Sequence, residues 1–177
     1  MTELSRRIDQ SIRTIPNFPK EGIQFKDITP LFLDYRLCND ITHFLAEQAA
    51  GKVDVVCGVE SRGFLFGATI AQQLQLPFVL IRKSGKLPGD TEKIDYELEY
   101  GSSAIEVHKG FIQPGQRVLI HDDLLATGGT AAATASLIEK CGAIPAQFSF
   151  IIELAFLAGR KNLEKFPAEI ITAVSYS

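Results

Sequence analysis

Four short apolar runs recur along the chain: Val53–Val59 (VDVVCGV), Pro77–Ile81 (PFVLI), Arg117–His121 (RVLIH) and Gln147–Ile152 (QFSFII). Runs this short and continuous suit strands covered on both faces, because a strand wetted on one side alternates polar and apolar residues. Residues 61–74 follow the first run with helical character. Thr130–Cys141, closed by Gly142, follows the third in the same way. Strand, crossover helix and strand imply a parallel sheet with helices on both faces, so the expected class is α/β. A chain of 177 residues is one domain's worth, and a single domain over 1–177 is expected.

Upstream, Leu4, Ile8, Ile12 and Ile15 fall on one helical face, and Pro16 and Pro19 end that pattern. The segment that follows, through Pro30, is expected to be ordered but irregular. A second amphipathic helix is expected from Asp34 to Ala50, with Leu37, Ile41, Phe44 and Leu45 as its stripe and Gly51 as its stop. Residues 82–115 form a polar stretch too long for a simple loop in a compact domain. Within it Tyr96, Leu98 and Tyr100 alternate with Glu97 and Glu99. Ala104, Ile105 and Val107 follow a Gly-Ser break. That pattern predicts a two-stranded flap over the sheet, of the kind that serves as a lid.

Bulk properties remove several function classes. A formal charge of −3 gives no support for nucleic-acid binding, which normally shows as a basic excess. Cys38, Cys57 and Cys141 are far apart, without a CxxC pair or a His at metal-ligand spacing, and suit reduced core thiols. The amphipathic, charged N-terminal segment does not resemble a signal peptide. No apolar run approaches the roughly 20 residues of a membrane span. A cytoplasmic protein without membrane contact is expected.

The chemistry concentrates at VLIHDDLLATGGT, Val118–Thr130. In open parallel sheets ligands bind beyond the carboxyl ends of the strands, where this segment sits. Ala126, Gly128 and Gly129 let backbone amides approach an anion. Thr127 and Thr130 add hydroxyls, and the following helix directs its positive end to the same place. The triphosphate loop GxxxxGK[ST] and the dinucleotide fingerprint GxGxxG are both absent. Asp122 and Asp123, just before the cradle, would repel phosphate oxygens but accept hydrogen bonds from sugar hydroxyls. They suit the 2′- and 3′-hydroxyls of a ribose whose 5′-phosphate lies in the loop, although an acidic pair can also merely cap a turn.

Two further clusters stand out. Glu60-Ser61-Arg62-Gly63 follows a strand and opens a helix, which makes a second anion site or an ordinary helix start with Ser61 as the cap. Arg82, Lys83 and Lys86 form the basic run RKSGK. Alone it would be a solvated face; beside two phosphate sites it suits a polyanion.

VLIHDDLLATGGT resembles the signature of the type I phosphoribosyltransferases. FPKEGIQFKDITP, GVESRGFLFG, VLIRKSGKLPG, LEYG and IIEL are similar, in order, to segments of the adenine-using members of that family. The resemblance covers nearly the whole chain. It implies the type I fold: a parallel sheet with helices on both faces, a flexible two-stranded flap over 82–115 and a small hood from residues 1–33. The implied reaction joins adenine to phosphoribosyl pyrophosphate, giving AMP and pyrophosphate, with Mg²⁺ carried by the pyrophosphate near Asp122 and Asp123.

By the same resemblance, Asp122, Asp123, Ala126, Thr127, Gly128, Gly129 and Thr130 hold the ribose and its phosphate. Ser61, Arg62 and Gly63 hold the pyrophosphate with Arg82, Lys83 and Lys86. The basic residues would reach a neighbour's site, which implies a homodimer. Glu99 is the implied acid/base, and Tyr100 helps to close the lid. Phe25 and Leu154 would sandwich the adenine, whose edge meets main-chain groups of Gln24 and Lys26. His121 departs from the family, which usually has an apolar residue there, and its role stays open. The competing readings are a transferase for hypoxanthine, guanine, xanthine or orotate, and a non-catalytic regulator that binds DNA.

Overall fold

Thr2 begins the first helix, α1 (Glu3–Ser11), its hydroxyl accepting from the Ser5 N–H, and the apolar face of α1 buries Ile8. The helix ends at Ser11, so Ile15 does not continue its face. Ile15 lies instead on β1 (Arg13–Pro16), which pairs antiparallel with β2 (Gln24–Asp27). The irregular segment expected here is thus a hairpin. β-branched Thr14 and Ile15 favour extended backbone, and Pro16 and Pro19 cannot donate to a helix. Asp34 caps α2 (Tyr35–Ala49) by accepting from the N–H groups of Arg36 and Leu37.

The computed structural model describes residues 2–97 and 102–177. Beyond α2 the order is β3 (Val55–Val59), α3 (Gly63–Leu74), β4 (Phe78–Lys83), β5 (Thr91–Glu97), β6 (Ser102–His108), β7 (Arg117–Leu125), α4 (Gly129–Lys140), β8 (Ile144–Leu154) and β9 (Glu169–Tyr176). One seven-stranded sheet runs β5-β6-β4-β3-β7-β8-β9. The strands from β4 to β9 in that order are parallel. β6 is antiparallel to both β4 and β5, so the flap strands extend the sheet itself. β9 was not among the expected strands. β7 also runs on through Asp122 and Asp123 rather than stopping at His121.

Successive residues of the central strands point into two separate cores. Cys57, Ile120, Phe148 and Phe150 pack with Leu137 and Ile138 of α4. Val56, Leu119 and Ile151 pack with Ile8, Ile41, Leu45 and Ile70 of the first three helices. Burying each such side chain contributes about 1.5–3 kcal/mol, which clamps the strand ends in place. No helix among the described residues is long and apolar enough to cross a membrane.

Candidate active site

Because β3, β4, β7 and β8 are parallel, their carboxyl ends lie on one edge of the sheet. They carry Glu60, Lys83, Asp122 with Asp123, and Leu154 to that edge. Asp122 lines two small cavities. One, of about 100 Å³, is shared with Glu60, Arg82, Lys83, Tyr96 and Thr130. The other, of about 90 Å³, is shared with Ala126, Thr127, Gly128, Gly129 and Thr130. The structure therefore brings the phosphate loop and part of the basic run together around the Asp122 carboxylate, while Asp123 lines neither cavity. Of the larger grooves, one of about 440 Å³ adjoins the loop and is lined by Tyr96, Gly129 and Asn162, and one of about 470 Å³ lies apart between α2 and α3.

The loop is built as an anion cradle should be. Gly128 occupies the left-handed region at φ +80° and precedes α4 without any side-chain cap, so the first amides of the helix stay available. Tyr96, on the flap strand β5, stands 3.4 Å from the Thr130 hydroxyl and links the flap to the cradle.

A strut that the sequence did not reveal supports the loop from behind. Asn162 donates its side-chain amide to the Thr127 carbonyl at 2.7 Å. The Gly128 and Gly159 backbones approach so closely that a Cβ on either would collide with main-chain oxygen of the other segment. Arg160, next to Gly159, grips buried Glu153 through two bonds of 2.7 and 2.8 Å. Bonding to Arg160 is the main reason the Glu153 carboxyl lies below its ordinary range. Only the glycine in LAGRKN hinted at this arrangement.

The second anion site differs from its expected detail. Arg62, not Ser61, sits at the start of α3, and its side chain makes no capping bond; the Phe64 and Leu65 N–H groups donate to the Ser61 and Arg62 carbonyls at 3.3 and 3.2 Å. The Arg62 Nε donates to Asp123 at 2.5 Å, and its guanidinium stands 5.2 Å from the Phe25 ring centroid. Gly63 lets this turn rest on β7, since a Cβ there would press on the His121 carbonyl and the Asp122 backbone. The Glu60–Ser61 peptide is cis.

Arg82 is directed inward, to Glu60 at 3.1 Å and to the Lys86 carbonyl at 2.9 Å, while Lys83 and Lys86 are exposed. Burial would raise the Glu60 carboxyl, but bonds from Arg82 and the Lys83 N–H hold it below its ordinary value. Asp122 moves the other way. Burial first, and the neighbouring charge of Asp123 second, push its carboxyl well above the usual range.

At the far side of the site, Phe25 and Lys26 are half-buried on β2 and Gln24 is exposed. Phe25 meets Phe18 edge-on, with centroids 5.2 Å apart. Leu154 is half-buried at the end of β8. Glu99 and Tyr100, the expected acid/base and lid residues, lie outside the described residues. His121 is fully buried, with Nδ1 2.8 Å from the Ser149 hydroxyl.

The model of the phosphoribosyl transferase domain matches residues 27–175. An adenine phosphoribosyltransferase of Sorangium cellulosum is 53% identical over 89% of this chain and 80% of its own. The chain belongs to the phosphoribosyltransferase family. A crystal structure of adenine phosphoribosyltransferase from Thermoanaerobacter pseudethanolicus is 47% identical, with a TM-score of 0.92 over 97% of this chain and 99% of its own. The enzyme of Saccharomyces cerevisiae, crystallised with adenine and an imino-altritol bisphosphate, is 40% identical, with a TM-score of 0.90 over 98% and 99%. The architecture is thus that of a type I phosphoribosyltransferase.

Proposed function

We infer that the chain is an adenine phosphoribosyltransferase, transferring the 5-phosphoribosyl group of phosphoribosyl pyrophosphate to N9 of adenine and releasing AMP and pyrophosphate in purine salvage. One observation carries the reading. A partly buried acidic pair lies toward the end of β7, just before a glycine loop that opens α4, in a chain similar over nearly its whole length to adenine phosphoribosyltransferases.

In this reading the amides of residues 126–130 hold the 5′-phosphate, and Asp122 and Asp123 accept from the ribose hydroxyls. Their charge opposes the positive charge that grows at C1′ as the bond to pyrophosphate breaks. Ser61, Arg62 and Gly63 receive the pyrophosphate at the turn that opens α3, and Arg82, Lys83 and Lys86 approach from β4. Glu99 removes the imidazole proton so that N9 attacks, and closure of the flap with Tyr100 keeps water from the sugar cation. Gln24 and Lys26 read the adenine edge with main-chain groups, between Phe25 and Leu154. A 6-oxopurine would set its oxygen against a carbonyl, at a cost of about 1–3 kcal/mol.

Among the described residues no three His, Cys, Asp or Glu side chains are grouped so as to hold a metal on their own. The acidic pair suits Mg²⁺ that arrives bound to pyrophosphate oxygens, where it would neutralise leaving-group charge. A homodimer in the cytoplasm is part of the same proposal, since exposed Lys83 and Lys86 are free to approach a neighbour's site. Sedimentation of the purified chain tests the dimer. The reaction is tested by AMP formation from adenine, phosphoribosyl pyrophosphate and Mg²⁺, with hypoxanthine and guanine as controls. Turnover confined to a 6-oxopurine would refute adenine as the acceptor. No turnover, with salt-sensitive DNA binding, would favour a regulator.

A further inference from the structure

The two sides of the proposed base site come from elements that do not pair with each other. Phe25 and Lys26 belong to the β1–β2 hairpin, whose strands pair only with one another among the described residues, whereas Leu154 ends a strand of the main sheet. Side chains must therefore set the height of the hairpin over the sheet. Tyr176 meets both. Tyr176 on β9 is in register with Leu154 on β8, and the Lys26 Nζ stands 4.1 Å from the centroid of the Tyr176 ring.

Each contact is itself fixed. The Lys26 ammonium also donates to the Thr14 hydroxyl on the paired strand, at 3.0 Å. The Tyr176 hydroxyl donates to Asp9 of α1 at 2.8 Å, and α1 is tied back to β9 by the Ser5 hydroxyl, which donates to the Ala173 carbonyl at 2.7 Å. The ring of Tyr176 is half-buried against the core that also takes in Leu4, Ile12 and Leu154. An ammonium over an aromatic face gains from the ring quadrupole only at close range, so the pairing resists lateral and vertical slip of β2.

We propose that Tyr176 is a positioning residue for the base subsite, holding the main chain of Gln24–Lys26 at a fixed distance from Leu154. This rests on the assignment of the base to Phe25, Lys26 and Leu154. Tyr176 acts through Lys26 and Leu154 and needs no contact with substrate.

The test uses the full chain with Tyr176→Leu and Tyr176→Phe, reading both KM values, kcat and hydrogen exchange of residues 13–27 without substrate. Tyr176→Leu should raise the adenine KM about tenfold, leave kcat and the phosphoribosyl pyrophosphate KM within about twofold, and speed exchange in 13–27. Tyr176→Phe keeps the ring under Lys26, so its adenine KM should rise only about threefold. Unchanged exchange and unchanged adenine KM would overturn the proposal, as would a parallel loss in both KM values and kcat, which marks general loosening. Phe25→Ala separates the two layers. If it too leaves the adenine KM unchanged, the base-site assignment fails; if it raises that KM while Tyr176→Leu does not, the role of Tyr176 fails.

Discussion

Arg62 joins the two anion sites, its Nε 2.5 Å from the carboxylate of Asp123, a side chain only 6% exposed. Its guanidinium also covers the Phe25 ring. Removing it leaves Asp123 buried without this partner and takes the guanidinium from over the Phe25 ring. Arg62→Ala should raise the phosphoribosyl pyrophosphate KM by roughly ten- to a hundredfold, the worth of one charge-assisted hydrogen bond. The adenine KM should rise as well, whereas Asp123→Asn should leave it near wild type. Steady-state kinetics with each substrate varied in turn checks both. An unchanged KM for phosphoribosyl pyrophosphate in Arg62→Ala would count against the pyrophosphate role.

Glu99 is assigned by its place in LEYG. As a general base it would act in the transition state, so Glu99→Ala should lower kcat about 10²–10⁴-fold with little change in the adenine KM. Equal effects on kcat and KM, measured over the same adenine range, would show a binding residue instead.

Much of this was legible beforehand because it is local. Short apolar runs and glycine-stopped helices announce a parallel sheet, and Asp122 to Thr130 are contiguous. What the sequence concealed depends on contacts between distant segments. Asn162 meets Thr127, Gly159 meets Ala126 and Gly128, and Tyr176 meets Asp9, all across long stretches of chain. No periodicity encodes such pairs. β9 is a different case: EIITAVSY has the β-branched content of a strand. The β1–β2 hairpin was hidden by prolines, which disrupt a helical pattern without announcing what replaces it.

The strut behind the phosphate loop yields a prediction on shape. Gly159→Ala drives a methyl group into the Ala126 carbonyl, which is backbone and does not swing aside. The loop must shift, so the phosphoribosyl pyrophosphate KM should rise about tenfold or more while the adenine KM stays close to wild type. Asn162→Ala removes one hydrogen bond without a clash, and its effect should be smaller in the same direction, about threefold. A larger effect on adenine than on phosphoribosyl pyrophosphate would show that the strut serves the base side.

Glu106 gives a prediction in acid. It lies on β6, only 4% exposed, and accepts from the Lys86 and Leu87 N–H groups at 2.9 Å each, pinning the loop that carries Lys86. Burial would raise its carboxyl, but these amides, with Gly85 and the Thr91 hydroxyl, hold it below the ordinary 4.5. A depressed carboxylate contributes stability that is complete above the unfolded value and disappears as pH falls through the folded one. Wild type should therefore lose stability more steeply than Glu106→Gln below about pH 4.5, although the variant starts lower at neutral pH. Denaturant unfolding at a series of pH values checks the crossing slopes; parallel curves would refute the anchor's charge.

His121 titrates with the opposite chemistry but the same direction of loss. Complete burial pushes its imidazole down to about 3 from 6.5, and no partner meets Nε2 among the described residues. Below 6.5 the unfolded chain takes up a proton that the folded side chain refuses. Stability is therefore unaffected above that value and declines as pH falls from 6.5 toward 3. Between pH 7.5 and pH 5 this one group should cost about 2 kcal/mol. Replacing both members of the buried pair, His121→Leu with Ser149→Ala, removes the titration and leaves no orphaned hydroxyl, so stability at pH 7.5 should stay within about 1–2 kcal/mol. On the mechanism above, kcat should be unchanged, because the imidazole bonds Ser149 inside the core while Asp122 and Asp123 face the sugar. Identical acid dependence in the two proteins, by denaturant unfolding at pH 7.5 and pH 5, would contradict this account. A collapse of kcat in the folded double variant would instead give His121 a part in the reaction.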